Sequence, residues 1–581
     1  MNLLLDYQEK ILYCLKKLKQ KKIISFDDEL KNFIVEIPPK SYNADISCNA
    51  AMILAKINNK SPSDLAEILK KNFLESFSEF EKIDIKQPGF ININFKIIFW
   101  KKQLQKIIKS KKNYGSTKNQ QYRYNIEFVS ANPTGPLHVG HCRGAILGDV
   151  LSNLLKFNGH LVTKEYYVND YGNQIKTFVL SVYYRILEIT EGKAFPSDKN
   201  LYPGNYIIDI AKKIIKEKKI KKFKNYDKIS EDLTKESLDF SLSLIKNNLH
   251  NLGIKHDNFI YESELIKNEF VSKTINKLKK NNYVYKGKLK PPKGELSKKW
   301  KARNQLLFES TKFGDDTDRA LQKEDETWTY FASDIAYHAH KINRNFDVLV
   351  NILGADHSGY IKRIISAVKA ISNNKINLVC KVSQLVKLFK KGKPFKMSKR
   401  SGEYITIEDL LKEVGKDSVR FMMLNRSNDV ELNFDFEKVT EKSKDNPVFY
   451  VQYAYARISS VLRKLNEHKL KFNLSDFKEC KFNLLNSDHE LDLIKKILDW
   501  NSVIITSVNL YEPHRIAYYL YELASSFHSL WNQGKIDTKL KFINEEDLDV
   551  TYARLSLIIA TQKTIKSGLS LLGVSAPNEM Q

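Results

Sequence analysis

"SANPTGPLHVGHCRGAILGDVLSNLL", residues 130–155, decides the fold of the longest part of this 581-residue chain. Its first dozen positions hold two prolines, two glycines and two histidines, the composition of a loop. Ile146, Leu147, Val150, Leu151, Leu154 and Leu155 then recur at three- and four-residue spacing, one apolar face of a helix. Upstream, "YNIEFVS" (124–130) is a strand by its β-branched and aromatic residues. Downstream, Asn158-Gly159 stops the helix and "HLVTKEYYV" (160–168) supplies the next strand. Strand, loop, helix and strand make a βαβ unit of a parallel sheet, and such sheets bind ligands at the carboxyl ends of their strands.

The rest of the chain divides around this unit. Residues 1–112 mix the strand candidates "FIVEIP" (33–38) and "GFININF" (89–95) with the helical "NAAMILAKI" (49–57), a small α+β domain. The polar "KSKKNYGSTKNQQ" (109–121) reads as a linker. An α/β domain spans 120–440, interrupted by a lysine-rich, mainly helical insertion at about 190–300 that ends in the extended "YVYKGKLKPPKGEL" (283–296). Its sheet resumes through "TWTYFASDIAYHAHKI" (327–342), "FDVLVNILGADHSGYIKRIISAVKAI" (346–371) and "LVCKVSQLVKLF" (378–389). From 446 to 581 the spacing is helical almost throughout, predicting an all-α domain.

Lysine and arginine number 95 against 68 acidic residues, a formal charge of +27, so the expected partner is a polyanion. Two basic runs, "KEKKIKKFK" (216–224) and "KLFKKGKPFKMSKR" (387–400), are candidate faces for phosphates, the first a surface by default. Cysteines at 14, 48, 142, 380 and 480 are isolated, so no zinc site is expected and no other metal ligand set is apparent. A reducing, cytoplasmic location is the expectation. No signal peptide or apolar run long enough to cross a membrane is apparent.

A helix start offers backbone N–H groups and a positive dipole end to a nucleotide phosphate. His138 and His141 add donors where charge develops during attack on an α-phosphate, and Gly140 leaves bare backbone for an adenine ring. Taken alone, two histidines in a polar loop are ordinary. A second loop, "GKPFKMSKRSG" (392–402), sets Lys396 and Lys399 three apart between glycines, suited to a triphosphate and its leaving pyrophosphate. The conjunction is far more specific than either loop.

On these residues the chain resembles the class I aminoacyl-tRNA synthetases. His138, Val139, Gly140 and His141 match the HIGH motif, and Lys396, Met397, Ser398 and Lys399 match KMSKS, with Arg400 in place of the last serine. "EFVSANPTGPLHVGH", "NDYGNQI", "LYPGNYI", "ILGADHSGY", "PVFYVQYAYARI" and "LLGVSAPNEM" resemble the arginyl-tRNA synthetases in particular. "FIVEIPP" and "QPGFINI" look like that family's tRNA-contacting N-terminal domain, and the helical C-terminal domain like its anticodon-binding domain. The resemblance implies a Rossmann-like catalytic core that uses ATP with Mg²⁺ to charge a cognate arginine tRNA with L-arginine. It also implies activation that requires bound tRNA, and a monomer.

By the same resemblance His138, His141, Lys396 and Lys399 are catalytic, and Gly135, Gly140, Met397 and Ser398 join them in binding ATP. Glu127, Asn132, Tyr330 and Asp334 match positions that hold arginine, Asp334 for the guanidinium and Glu127 with Asn132 for the α-amino group. A buried guanidinium does call for carboxylates and planar acceptors. Asp334 could equally be a helix N-cap. Asp356 and His357, after an apolar strand, are assigned to the amino-acid and ATP pocket, and Lys393 and Arg400 to phosphates. In the C-terminal domain Tyr450, Tyr453, Tyr455 and Arg457 interleave rings and charge as RNA stacking requires, and Tyr552 and Met580 lie where the family contacts the anticodon.

Rival readings are a synthetase for another amino acid, a smaller nucleotidyltransferase and a catalytically silent RNA-binding paralogue. A cysteine enzyme would bring a zinc site, and a glutamate pocket would want arginines where Glu127 and Asp334 stand. A small nucleotidyltransferase has no use for the helical domain, and a silent paralogue has no reason to keep both loops.

Overall fold

The computed structural model describes residues 3–27, 30–109, 114–116, 121–218, 225–289, 303–395, 405–467 and 481–580. In the central unit the quoted stretch and its flanks are β1 (Arg123–Glu127), helix α1 (Val139–Phe157) and β2 (Leu161–Val168). Asn158 caps the helix C-terminus and Gly159 turns the chain with φ +94°. With β3 (Asn258–Tyr261), β4 (Val348–Gly354) and β5 (Asn377–Ser383) they form a five-stranded sheet, order β5-β4-β1-β2-β3, parallel at every pairing. Strand order reverses between β1 and β4, and the crevice at their carboxyl ends is where doubly wound sheets bind ligands.

The lysine-rich stretch is not a single excursion. Helices α2 (Asn173–Glu191), α3 (Asn205–Lys218) and α4 (Tyr226–Asn251) build a satellite core around Phe178, Val182 and Ile210, and the chain then returns to the sheet as its edge strand β3. A four-residue edge strand between helices carries too little periodicity to be read from sequence. Helix α5 (Tyr330–Ile342) follows, and then β4 and β5.

A second, small sheet stands beside the first: β6 (Val386–Lys390) pairs antiparallel with β7 (Lys393–Pro394) and parallel with β8 (Leu432–Asp435), which follows helix α6 (Lys416–Met423). Residues 396–404 lie outside the described residues, but the chain reappears bonded to the start of α1. Val139 N donates to Ile405 O (3.1 Å), and Ile407 N donates to Leu137 O (3.1 Å).

The first hundred residues form a four-stranded antiparallel sheet with helices on it, centred on Tyr7, Phe95 and Phe99. Of the expected linker, Tyr114 is pinned: its hydroxyl donates to Ile497 O and Leu498 O, and its carbonyl accepts from Trp500 Nε1 (2.9 Å). The C-terminal unit is helical, with α7 (Pro447–Glu467), α8 (His514–Ile536) and α9 (Leu548–Leu572) packed together.

These units meet on α1, which is apolar enough to be buried on all sides yet carries the charged Arg143 and Asp149 inside. Asp149 accepts from Lys164 Nζ on β2 (2.6 Å) and from Arg420 Nη2 on α6 (2.5 Å). Arg420, 1% exposed, also donates to Leu572 O at the end of α9 (2.6 Å) and to Leu252 O (2.8 Å). The next residue, Gly573, turns with φ +68°, and a Cβ there would strike that guanidinium. Arg420→Ala would strand Asp149 beside one lysine and leave two carbonyls unpaired. It is expected to cost about 3–5 kcal/mol, read as a lower denaturation midpoint of the full chain.

Candidate active site

At the start of α1 the two histidines cap the helix themselves. His138 is the N-cap: its Nδ1 accepts from Gly140 N (3.0 Å), and His141 Nδ1 accepts in return from His138 N (3.3 Å). The rings lie 4.0 Å apart, and a Cβ on Gly140 would fall 2.7 Å from His138 Cε1. Glycine is therefore needed for the cap. The expectation that first-turn N–H groups would be open to a phosphate needs correcting. Val139 N is bonded to Ile405 O, Gly140 N to His138 Nδ1 and His141 N to His138 O. With each Nδ1 accepting, the ring proton of each histidine sits on Nε2.

Burial and the neighbouring His138 push His141 down to about 3, partly offset by Asp356. Asp356 thus faces the histidines from the end of β4, where it and His357, both exposed, contact each other at 3.5 Å. These two lie on the histidine side of the crevice. Gly135, in the same loop, is met by the Tyr206 ring of α3 at 2.9 Å from where a Cβ would stand.

A second cluster lies at the far side of β1. Asp334 is not a helix cap, since Thr329 caps α5 and Tyr330 is its first residue, 62% exposed and one turn before Asp334. The Asp334 carboxylate accepts from Tyr360 Oη, and burial pushes it up to about 7, with Glu127 adding repulsion. Glu262, just past β3, is likewise pushed up to about 7 by burial, with Asp334 and Asp170 raising it further. Among the described residues neither carboxyl has an ion pair. Between them the Tyr167 hydroxyl is buried without a hydrogen-bond partner, its ring stacked on Tyr337 at 4.1 Å. Buried carboxyls beside an unpaired hydroxyl are a receptor for a cation with several N–H donors. Glu262 and Tyr167 escaped the sequence reading because neither stands in a motif.

The expected α-amino ligands are partly engaged. Glu127 Oε2 accepts from Lys341 Nζ (2.6 Å) and its Oε1 from Ser130 Oγ (3.0 Å), while Asn132 Nδ2 donates to Gln174 Oε1 (2.6 Å). Lys341 is wholly buried and also donates to Asn351 Oδ1 (3.0 Å). Asn351 Nδ2 in turn donates to His338 Nε2 (2.9 Å), whose Nδ1 donates to Asp334 O (2.8 Å). One polar chain therefore carries Glu127 and the backbone under Asp334. Lys396, Met397, Ser398, Lys399 and Arg400 lie outside the described residues; Lys393, on β7, is exposed.

On the helical unit Arg457 lies over the Tyr453 ring (4.1 Å to its centroid) and donates to His528 Nδ1 (3.0 Å), and His528 Nε2 donates to Tyr450 O (3.2 Å). Phe449, Tyr521 and Trp531 complete this partly exposed aromatic and basic face. Tyr455, by contrast, is 6% exposed and belongs to the core. Tyr552 packs partly buried on α9, and Met580 is half-buried in the terminal segment whose Asn578 contacts Arg463 and Ser459.

Three family models match the chain: "Arginyl tRNA synthetase N terminal domain" over residues 6–95, "tRNA synthetases class I (R), catalytic domain" over 103–461 and "DALR anticodon binding domain" over 451–580. The arginine–tRNA ligase of Pelagibacter ubique is 53% identical, and that of the Wolbachia of Brugia malayi 45%, each over the full length of both chains. The solved arginyl-tRNA synthetase of Thermus thermophilus has this fold, with a TM-score of 0.71 at 18% identity across both whole chains. Among the described residues no helix is long and apolar enough to cross a membrane.

The histidine pair is directly testable. In spectra of the protein carrying ¹⁵N-labelled histidine, His141 is expected to keep its Nε2–H tautomer down to about pH 4, since its folded-state value lies far below that of a free imidazole. Because the unfolded chain takes that proton and the folded one does not, stability should fall as pH drops below about 6.5.

Proposed function

The chain belongs to the arginyl-tRNA synthetase family, and we propose that it joins L-arginine to its cognate tRNA through an arginyl-adenylate, consuming ATP and releasing pyrophosphate and AMP. The observation that carries this reading within the site is the pair of buried carboxyls without an ion pair among the described residues, Asp334 and Glu262, beside the orphan Tyr167 hydroxyl. A guanidinium supplies both the charge and the planar set of donors they lack. Tyr330 stands one helical turn before Asp334, and Glu127 keeps acceptor capacity for the α-amino group, with Asn132 beside it.

In the first step a carboxylate oxygen of arginine bonds to the ATP α-phosphorus, and the bond to the bridging oxygen breaks, releasing pyrophosphate. No protein nucleophile takes part. His138 and His141 direct Nε2–H donors at the reacting phosphate, Gly135 and Gly140 shape the nucleotide side, and Lys396 and Lys399 with Met397 and Ser398 offset charge on the leaving group. Mg²⁺ enters with ATP as part of the substrate. In the second step a terminal ribose hydroxyl of the tRNA attacks the adenylate carbonyl and AMP leaves. Tyr450, Tyr453 and Arg457, with Tyr552 and Met580, form the anticodon surface, a reading supported by the anticodon-binding domain model that matches residues 451–580. The enzyme works as a cytoplasmic monomer in this proposal.

ATP–pyrophosphate exchange with each amino acid, with and without tRNA, tests the reading. Exchange should appear with arginine alone and only when tRNA is present; exchange with another amino acid, or none at all, would overturn it. Lys399→Ala should slow exchange about 100-fold with little change in tRNA affinity. Asp334→Asn should raise KM for arginine about 10- to 100-fold with tRNA binding intact. Arginine needs Asp334 and Glu262 ionised, and both stand near 7 in the free protein. Calorimetry should therefore find affinity rising with pH between about 6 and 8, with protons released on binding. In the free fold the same raised values act oppositely, withdrawing stability as pH climbs through about 7.

A further inference from the structure

We infer that Arg143 is a positioning residue for adenylate formation, holding the small sheet that leads into residues 396–399 in register with the histidine-capped start of α1. Arg143 lies two residues past His141 and is 1% exposed. Its guanidinium donates only to backbone carbonyls: Nε to Met423 (3.4 Å), Nη1 to Gln384 (3.1 Å) and Val430 (2.7 Å), Nη2 to Arg426 (3.3 Å) and Ser427 (2.8 Å). Among the described residues it has no ion pair. Burial lowers it to about 10, which Asp429 partly opposes.

A buried cation without a carboxylate is a poor device for stability alone. What it does supply is a rigid planar fork that reads five carbonyls at once. Those carbonyls belong to the two segments that set the small sheet. Gln384 sits just before β6, whose partner β7 ends immediately upstream of the lysines, and residues 423–430 run from the end of α6 to β8. On the downstream side, Ile405 and Ile407 are already bonded to Leu137 and Val139. Both ends of the lysine segment are thus referenced to α1, one through backbone pairing and the other through Arg143. The inference rests on the role proposed above for Lys396 and Lys399.

A residue that sets the spacing between two phosphate-binding elements acts on kcat rather than on arginine binding, because Asp334, Glu262 and Tyr167 lie on other elements. In tRNA-dependent exchange Arg143→Lys, which offers three donors in place of five, is expected to lower kcat about 30-fold while KM for arginine stays within about twofold. Calorimetric arginine affinity should match the unaltered protein. A second variant approaches the same turn from its far side: Asn428 Nδ2 donates to Val382 O (2.8 Å), and Asn428 O accepts from Gln384 N (2.8 Å). Asn428→Ala should lower kcat about threefold with the same unchanged KM, and it decides the question if Arg143→Lys does not fold. Wild-type kcat in either folded variant, or KM for arginine rising as far as kcat falls, would overturn the inference. Lys399→Ala separates the two readings. If it exchanges normally, the lysine role fails; if it is slow while Arg143→Lys and Asn428→Ala exchange normally, only the inference about Arg143 fails.

Discussion

The carboxylate of Asp149 is where three parts of this molecule are tied together. It sits inside the helix after the first strand and accepts from Lys164 of the neighbouring strand and from Arg420, which also holds the end of the last long helix. Charges buried this deeply are tolerated only when their hydrogen bonds are satisfied. The catalytic sheet, the helix that begins at the histidines and the helical C-terminal unit must therefore hold one arrangement. A helix exposed on one side could have shifted along its axis; this one cannot without stranding Asp149 or Arg143.

With that helix fixed, the crevice at the β1/β4 reversal has two chemically distinct sides. On the histidine side both rings use Nδ1 to cap the helix and carry their protons on Nε2, with the exposed Asp356 beside them. The other side is acidic and short of cations, because Lys341 is committed to Glu127 and Arg344 to Glu165. In the proposed reaction the phosphate meets the histidine donors and the guanidinium meets the buried carboxyls, with the substrate's own carboxylate between them.

Much of this was legible in the residues. The βαβ unit followed from apolar spacing and from Asn158-Gly159, and the helical C-terminal unit from its period of three and four. The two signature loops could be read because each concentrates its chemistry within a few positions. Glu262 could not be read, since it follows a four-residue edge strand inside a lysine-rich stretch and reaches the pocket only when that strand closes the sheet. Tyr167 looked like any strand tyrosine. Arg143 stands in no motif, and periodicity reports which face is apolar but cannot report that the opposite face is buried too.

By itself, then, the sequence determined the order of the domains, the parallel sheet, the histidine and lysine loops and the kind of ligand each could meet, since those depend on local spacing and side-chain chemistry. Tertiary structure decided which groups are left without partners. The first-turn N–H groups that seemed open are consumed by the histidines and by Ile405, and Glu127 is paired to a lysine far along the chain. Asp334 and Glu262, hydrogen-bonded but without an ion pair among the described residues, stand beside a Tyr167 hydroxyl that has no hydrogen-bond partner. Whether a polar group is satisfied depends on residues distant in sequence, and only the closed fold brings them within hydrogen-bonding reach.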